Sequence, residues 1–329
     1  MTTATVCFII CIILFVLVAH GREVRRFGPN AFIVDATQGS FVLPDSDSII
    51  ADYLKRFGQW EYSSISLVRE VLKQYSSISL VREVLKQYGL CDQADVDVDD
   101  TDNIILDIGA NLGTWSIPLS SLPRAKVYAF EPQRYMMQHL RASLLLNNVS
   151  NVFPIYSAVS NVSGHITIND IPVTPSSISG GAANFGALSL LGQLTDHSIR
   201  DRVPHSIVPT ITLDDFRLDV LQGACPRFLK LDIELYEVYA FIGARQLLRE
   251  CKPIIFMESH CTALNKSMFL LLHSLGYELY WVVKPLFDTD ILNQINVRLV
   301  VDDMLQWTEA EFNQLYFGSL NVLALPKTY

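Results

Sequence analysis

Apolar positions follow three regimes along this chain of 329 residues. The first is an unbroken run, Val6–Ala19, inside the uncharged stretch Thr2–Ala19. A helix across a bilayer needs about 20 residues, with a lower limit near 17. The run is borderline for a span, and it also has the length of a signal-peptide apolar region, about 7–15 residues. The second regime is helical. Tyr62–Gln74, YSSISLVREVLKQ, returns letter for letter as Tyr75–Gln87, and Ile65, Leu67, Val68, Val71 and Leu72 supply the apolar positions of the first copy. At about 100° per residue, the second copy is rotated by about 220° beyond whole turns. One straight helix would therefore aim the two stripes in nearly opposite directions. A break is expected near Tyr75–Ser77, where serines can cap a second helix.

The third regime begins after an acidic run, Asp92–Asp102, which lacks the glycine and terminal glutamate of a calcium loop and reads as a solvated linker. Beyond it, short apolar runs alternate with amphipathic segments. Strands are expected at Asn103–Ile108, Lys126–Phe130, Val152–Val159, His165–Asn169, Phe228–Ile233, Ile254–Met257 and Glu278–Val283. Helices are expected at Tyr135–Asn147 and Ser267–Leu275, and Ile171–Gly192, rich in Ser, Gly and Pro, reads as a loop over the site. Strands with helical crossovers imply an α/β fold with a doubly wound, mostly parallel sheet.

The chemistry concentrates where the first of these strands ends. Asp107 is followed by a turn containing Gly109, Ala110, Asn111 and Gly113, and the second strand ends eighteen residues past Gly113 in Glu131-Pro132. The glycines allow a tight turn and close approach to a ligand. Asn111 tolerates left-handed backbone. A carboxylate at the end of the second strand suits ribose hydroxyls. A dinucleotide site uses G-x-G-x-x-G, absent here, and Asp107 would repel phosphate. It would suit a cationic ligand with an amino group, such as S-adenosyl-L-methionine. Asp107, Glu131, Asp232 and Glu258 all fall at or near strand ends, where ligands of doubly wound sheets bind.

Seven blocks, in order, carry a resemblance. They are Asp107–Gly113 with Phe130–Pro132, Ala183–Ala187, Thr212–Asp215, Lys230–Glu237, Pro253–Glu258, Leu275–Tyr277 and Asn321–Pro326. From about residue 101 onward the chain resembles the FkbM family of S-adenosylmethionine-dependent O-methyltransferases. The resemblance implies a Rossmann-like sheet of the class I methyltransferase type. It also implies methyl transfer to a hydroxyl of a sugar, glycan or small metabolite. Asp107 and the Gly109–Gly113 turn would hold the donor's amino-acid portion and Glu131 its ribose. Ser157 and Ala158, at the third strand's end, are candidates for the adenine edge, with ordinary strand residues as the alternative. Asp232 and Glu234 are the leading general bases, with helix capping as their alternative, and His260 ranks below them. Lys230 is placed to pair with one of these acids. No spacing demands a metal. One position departs from the family: Leu235 stands where glycine is usual. A noncatalytic domain that kept the fold and a nicotinamide-dependent oxidoreductase are the alternative readings.

This divides the chain into an anchor or signal segment (1–21), a helical region with the repeat and acidic linker (22–100) and the methyltransferase domain (101–329). A net charge of −9 argues against broad binding to nucleic acid. Mean hydropathy of +0.27 is high for a wholly soluble protein and agrees with a membrane-directed end. Arg22, Arg25 and Arg26 follow the apolar run, which by the positive-inside tendency favours an uncleaved single-pass membrane anchor with a cytosolic domain. A cleaved signal or a lumenal domain is the alternative. The six cysteines show neither a disulfide framework nor zinc-site spacing. Asn148, Asn161 and Asn265 each begin an N-x-S triplet, the acceptor pattern for N-linked glycans.

Overall fold

The structure is a computed structural model. It describes residues 24–45, 47, 49–74, 103–169, 205–259, 263–283, 296–299 and 320–327. The apolar run Val6–Ala19, the second repeat copy, the acidic linker, the Ala183–Ala187 block, the Ile171–Gly192 segment and His260 lie outside them. Among the described residues, no helix is long and apolar enough to cross a membrane.

The chain opens with an antiparallel meander of β1 (Val24–Arg26), β2 (Ala31–Ala36) and β3 (Gly39–Pro44). Two helices follow, α1 (Ile50–Phe57) and α2 (Tyr62–Gln74). This corrects the expectation that the region before residue 100 is simply helical. The alternation in AFIVDA and GSFVLP is short and was masked by the louder repeat. The buried Asp47 caps α1, accepting from the amides of Ile49 and Ala51, and Gly58, left-handed at φ +65°, ends it. The first repeat copy is helix α2, and its stripe Ile65, Leu67, Val68, Val71 and Leu72 is buried.

Among the described residues, the main sheet has eight strands. The parallel set is β4 (Asn103–Ile108), β5 (Ala125–Phe130), β6 (Val152–Ile155), β10 (Phe228–Leu231) and β11 (Ile254–Ser259). The terminal strand β14 (Leu320–Pro326) inserts antiparallel between β11 and β12 (Tyr277–Val283), with β13 (Asn296–Leu299) at the edge. The order β13-β12-β14-β11-β10-β4-β5-β6 bears out the doubly wound, mostly parallel sheet. The chain leaves β4 toward β5 and β6, then returns on the other side of β4 to β10. The switch point therefore lies between the carboxyl ends of β4 and β10.

The strand expected at Val152–Val159 breaks in two. Past β6 the chain leaves the sheet, and β7 (Ala158–Val159) joins β8 (Gly164–Asn169) and β9 (His205–Ile211) in a separate three-stranded sheet. Helices α3 (Ser116–Ser120) and α4 (Arg134–Leu146) follow β4 and β5; α5 (Leu213–Asp219), α6 (Glu237–Ile242), α7 (Arg245–Glu250) and α8 (Ala263–Ser274) complete the described helices. The Thr212–Asp215 block is a double cap. Thr212 accepts from the Asp215 amide to start α5, and the Asp214 carboxylate accepts from Gln246 and Leu247 to start α7. Cys225 and Cys251 form a disulfide, against the expectation of no disulfide framework. They lie 26 residues apart in sequence, and only the fold brings the loop before β10 beside the end of α7.

The N-terminal unit shares its core with the main sheet: Phe41, Leu43, Leu54, Val68 and Val71 pack in the same cluster as Ile105, Val127, Leu140 and Phe256. Polar groups fasten the joint. Ser143 Oγ accepts from the Val42 amide at 3.0 Å, and Asn147 Oδ1 accepts from the Ser40 amide at 2.9 Å. The described segment 24–74 is thus part of the folded domain rather than a tether. Deleting Tyr75–Gln87 retains one intact copy at α2, so calorimetry should still show one cooperative melting transition. Val68→Asp, which buries an unpaired charge in the shared core, should lose several kcal/mol and melt far earlier.

Candidate active site

At the tip of β4 the chain makes the turn foreseen in the sequence. Gly109 (φ +82°), Asn111 (φ +49°) and Gly113 (φ +86°) are all left-handed. The reason for Gly109 differs from the expectation. A Cβ there would sit 1.9 Å from the Asp232 carbonyl oxygen, so the glycine lets β10 close against β4. At Gly113 a Cβ would meet Leu140 of α4 at 2.7 Å. Ala110 is buried, and the amides of Gly109 and Ala110 both donate to the Phe130 carbonyl. The turn is thereby fixed to the end of β5.

Glu131 completes that junction. It is buried; Oε2 accepts from the Asn111 amide at 2.9 Å and Oε1 from the Gln133 amide at 2.7 Å. Burial pushes its carboxyl up to about 7, although the two amides and Lys230 favour the ionised form. Each oxygen keeps acceptor capacity beyond its one amide, so the group fits a ribose diol.

Asp107, expected as a counter-charge to the donor, contacts Ser116 and Lys230. It is fully buried. Its Oδ2 accepts from Ser116 Oγ at 2.5 Å, and its Oδ1 lies 3.5 Å from Lys230 Nζ. Lys230, itself buried, donates to the Gly109 carbonyl at 2.8 Å and lies 3.4 Å from Asp232 Oδ2. Burial alone would lower its proton affinity; Asp232, Asp107 and Glu61 outweigh this and hold it above the ordinary lysine value. The expected pairing of Lys230 with one acid is in fact a bridge between two.

Asp232 follows β10, with its side chain 36% exposed. Its ligand oxygens, with those of Glu234 and Glu258, all lie within 4.8 Å of one another. Such a triad can share protons or hold a divalent cation. Burial raises the Asp232 carboxyl well above the usual range; Lys230 opposes this, and Glu258, Glu61 and Glu234 reinforce it. Neither Asp232 nor Glu234 is seen to cap α6. The buried Glu237, the first residue of α6, instead ties down the turn before the helix, accepting from the Ile233 amide at 3.1 Å.

Ser157 and Ala158 lie beyond β6, not in it. Ser157 is buried and donates to the Pro209 carbonyl at 3.0 Å, while Ala158 pairs with Thr210. Both serve the junction with the smaller sheet. Sequence reasoning missed Glu61. It precedes α2 in a left-handed conformation (φ +50°), and its Oε2 accepts from Trp115 Nε1 at 2.6 Å. Its charge acts on both Lys230 and Asp232. No sequence motif marks it, because only the shared core brings residue 61 to the switch point.

A glycine turn, a buried glutamate after β5 and a cluster of acids meet at the switch point of a doubly wound sheet, an arrangement that fits a nucleoside ligand. A family model described as the methyltransferase FkbM domain matches residues 107–279. The chain belongs to the FkbM methyltransferase family and uses S-adenosyl-L-methionine. No curated protein matches the chain. Among solved structures it is similar to the methyltransferase FkbM from Methylobacillus flagellatus KT (20% identity, TM-score 0.34), over 54% of this chain and 39% of that one. It is also similar to Aeropyrum pernix fibrillarin with natively bound S-adenosyl-L-methionine (14% identity, 92% and 98% covered, TM-score 0.36). Another such structure is M. jannaschii TYW2 in complex with AdoMet (12% identity, 92% and 90% covered, TM-score 0.37). At such scores the likeness says nothing about acceptor or mechanism.

Leu235 explains the family's glycine. Its φ is +73° and that of Glu234 is +53°. Two adjacent left-handed residues carry a strain of roughly 1–2 kcal/mol each. Leu235→Gly should relieve part of this and, after the entropy glycine adds to the unfolded chain, gain up to ~1 kcal/mol; a raised melting temperature checks it. The Glu131 carboxyl gives a second prediction. Because its folded value of about 7 lies above the ordinary 4.5, its contribution to stability of the free protein is full below 4.5 and lost as pH rises through 7. Ribose hydroxyls donating to it favour the ionised form. Donor binding should therefore tighten, and release protons, as pH rises through about 7. Calorimetry in buffers of different ionisation enthalpy should show this, and Glu131→Gln should abolish it.

Proposed function

We propose that the protein transfers a methyl group from S-adenosylmethionine to a hydroxyl of a sugar, glycan or small metabolite, with Asp232 as general base. The observation that carries this is the acid triad at the switch point, in which Asp232 has a raised proton affinity beside Lys230. A carboxylate whose proton affinity is raised is a better proton acceptor than an ordinary aspartate. The donor supplies an electrophilic methyl on a sulfonium, so the acceptor oxygen forms one bond to carbon while the S–C bond pair returns to sulfur. Asp232 takes the hydroxyl proton. Glu234 and Glu258 keep its affinity high and offer acceptors for neighbouring hydroxyls of a polyol. Lys230 fixes Asp232 against the Gly109 turn, so that the base and the donor loop are held in one register.

The same acids discriminate among acceptors. Three carboxyl groups within 4.8 Å repel phosphate, and the chain carries a net charge of −9. Both favour a neutral hydroxylated acceptor over a nucleic acid. Glu131 holds the ribose of the donor, and the Gly109–Gly113 turn holds its amino-acid portion. Asp107 acts through its grip on Ser116 and Lys230 rather than by open contact.

Mass spectrometry of cells expressing the protein should reveal a hydroxylated compound that gains one methyl group. With that acceptor, Asp232→Asn should lower turnover by roughly 10²–10⁴-fold and leave donor affinity nearly unchanged. Equal losses in both would assign Asp232 a structural role.

A further inference from the structure

We infer that the folded domain matures in an oxidising, glycan-adding lumen and carries N-linked glycans on Asn148 and Asn161. Three features of the fold meet in this assignment, and none involves the donor site.

The first is the Cys225–Cys251 disulfide. Its Cα atoms are 5.2 Å apart, within the range an unforced bridge needs. Cys225 is exposed and Cys251 half-buried. The bridge joins the loop entering β10 to the segment entering β11, at the amino ends of the strands. The switch-point acids sit at the opposite, carboxyl ends, so a redox role in catalysis has no geometric basis. An accessible cysteine pair of this kind stays reduced in a cytosol and forms a bridge in a secretory lumen.

The second is the placement of the two acceptor triplets. A glycan added during chain entry must end on a surface the fold leaves open, and both asparagines are exposed in turns. Asn148 lies just past α4 at φ +53°, a conformation asparagine tolerates. Asn161 lies between β7 and β8. Its Oδ1 accepts from Ser160 Oγ at 3.1 Å, which leaves the amide nitrogen, the atom that is glycosylated, clear of that bond.

The third concerns the arginines that favoured a cytosolic domain. Arg25 and Arg26 belong to β1 and pair with Asp35 at 3.0 Å and Asp45 at 2.7 Å. They begin a long domain rather than a short loop, and long domains translocate largely regardless of charge.

The test uses the full chain, tagged at its C-terminus, in eukaryotic cells with an intact secretory pathway. Ser150→Ala removes the first triplet without disturbing the left-handed Asn148. Asn161→Gln removes the second while keeping Ser163, whose hydroxyl accepts from the Thr212 amide. An N-glycan-removing endoglycosidase should sharpen the wild-type band downward, and each variant should lose one step of that shift. Peptide mapping after alkylation should recover the Cys225–Cys251 bridge. Since the glycan is attached before folding ends, a variant that misfolds still reports. Absence of glycan from both asparagines, or alkylation of both cysteines in the wild-type chain, overturns the assignment; it would leave the methyl-transfer reading untouched.

Discussion

The site depends on one buried ammonium. Lys230 reaches from β10 to the Gly109 carbonyl and lies between Asp107 and Asp232. An unpaired charge at this depth would cost several kcal/mol, so the two carboxylates and the carbonyl must stay where they are. The parallel register of β4 and β10 sets Lys230 opposite Asp107 and makes this geometry possible. Gly109 makes it close enough, because any side chain there would strike the Asp232 backbone. The donor turn and the proposed base are therefore two ends of one electrostatic clamp.

The N-terminal unit extends the clamp. Its meander and two helices share a core with the main sheet, and this carries Glu61 to Trp115. Trp115 in turn packs against Phe256 of β11, with ring centroids 5.0 Å apart. A segment expected as a separate helical region thus adds a negative charge felt by Lys230 and Asp232. This is one of the charges that raise the proton affinity of Asp232. Substitutions in α2 would reach the site through packing, not through contact with a ligand.

Strain is concentrated where the fold turns from β10 to α6. Glu234 and Leu235 both take left-handed backbone, and Glu237 reaches back to the Ile233 amide to hold the turn. The turn points Glu234 toward Asp232 and Glu258 at the expense of local stability, a pattern common at functional sites. Leu235 shows that a side chain is tolerated there but strained.

The sequence alone determined the alternating strands and helices, the glycine turn after β4, the glutamate after β5 and the clustering of acids at strand ends. These rest on local rules: apolar periodicity, φ preference and the position of a residue along its own strand. It could not determine the three-stranded meander, the break between β6 and β7, the Cys225–Cys251 bridge or the arrival of Glu61. Each joins residues far apart in the chain, and no local pattern encodes the distance between them. The sequence placed Asp107 near the end of β4, and only the tertiary structure set it against Lys230 and Ser116. Whether a carboxylate faces solvent or a buried lysine depends on which strand lies beside it, and only the assembled sheet decides that.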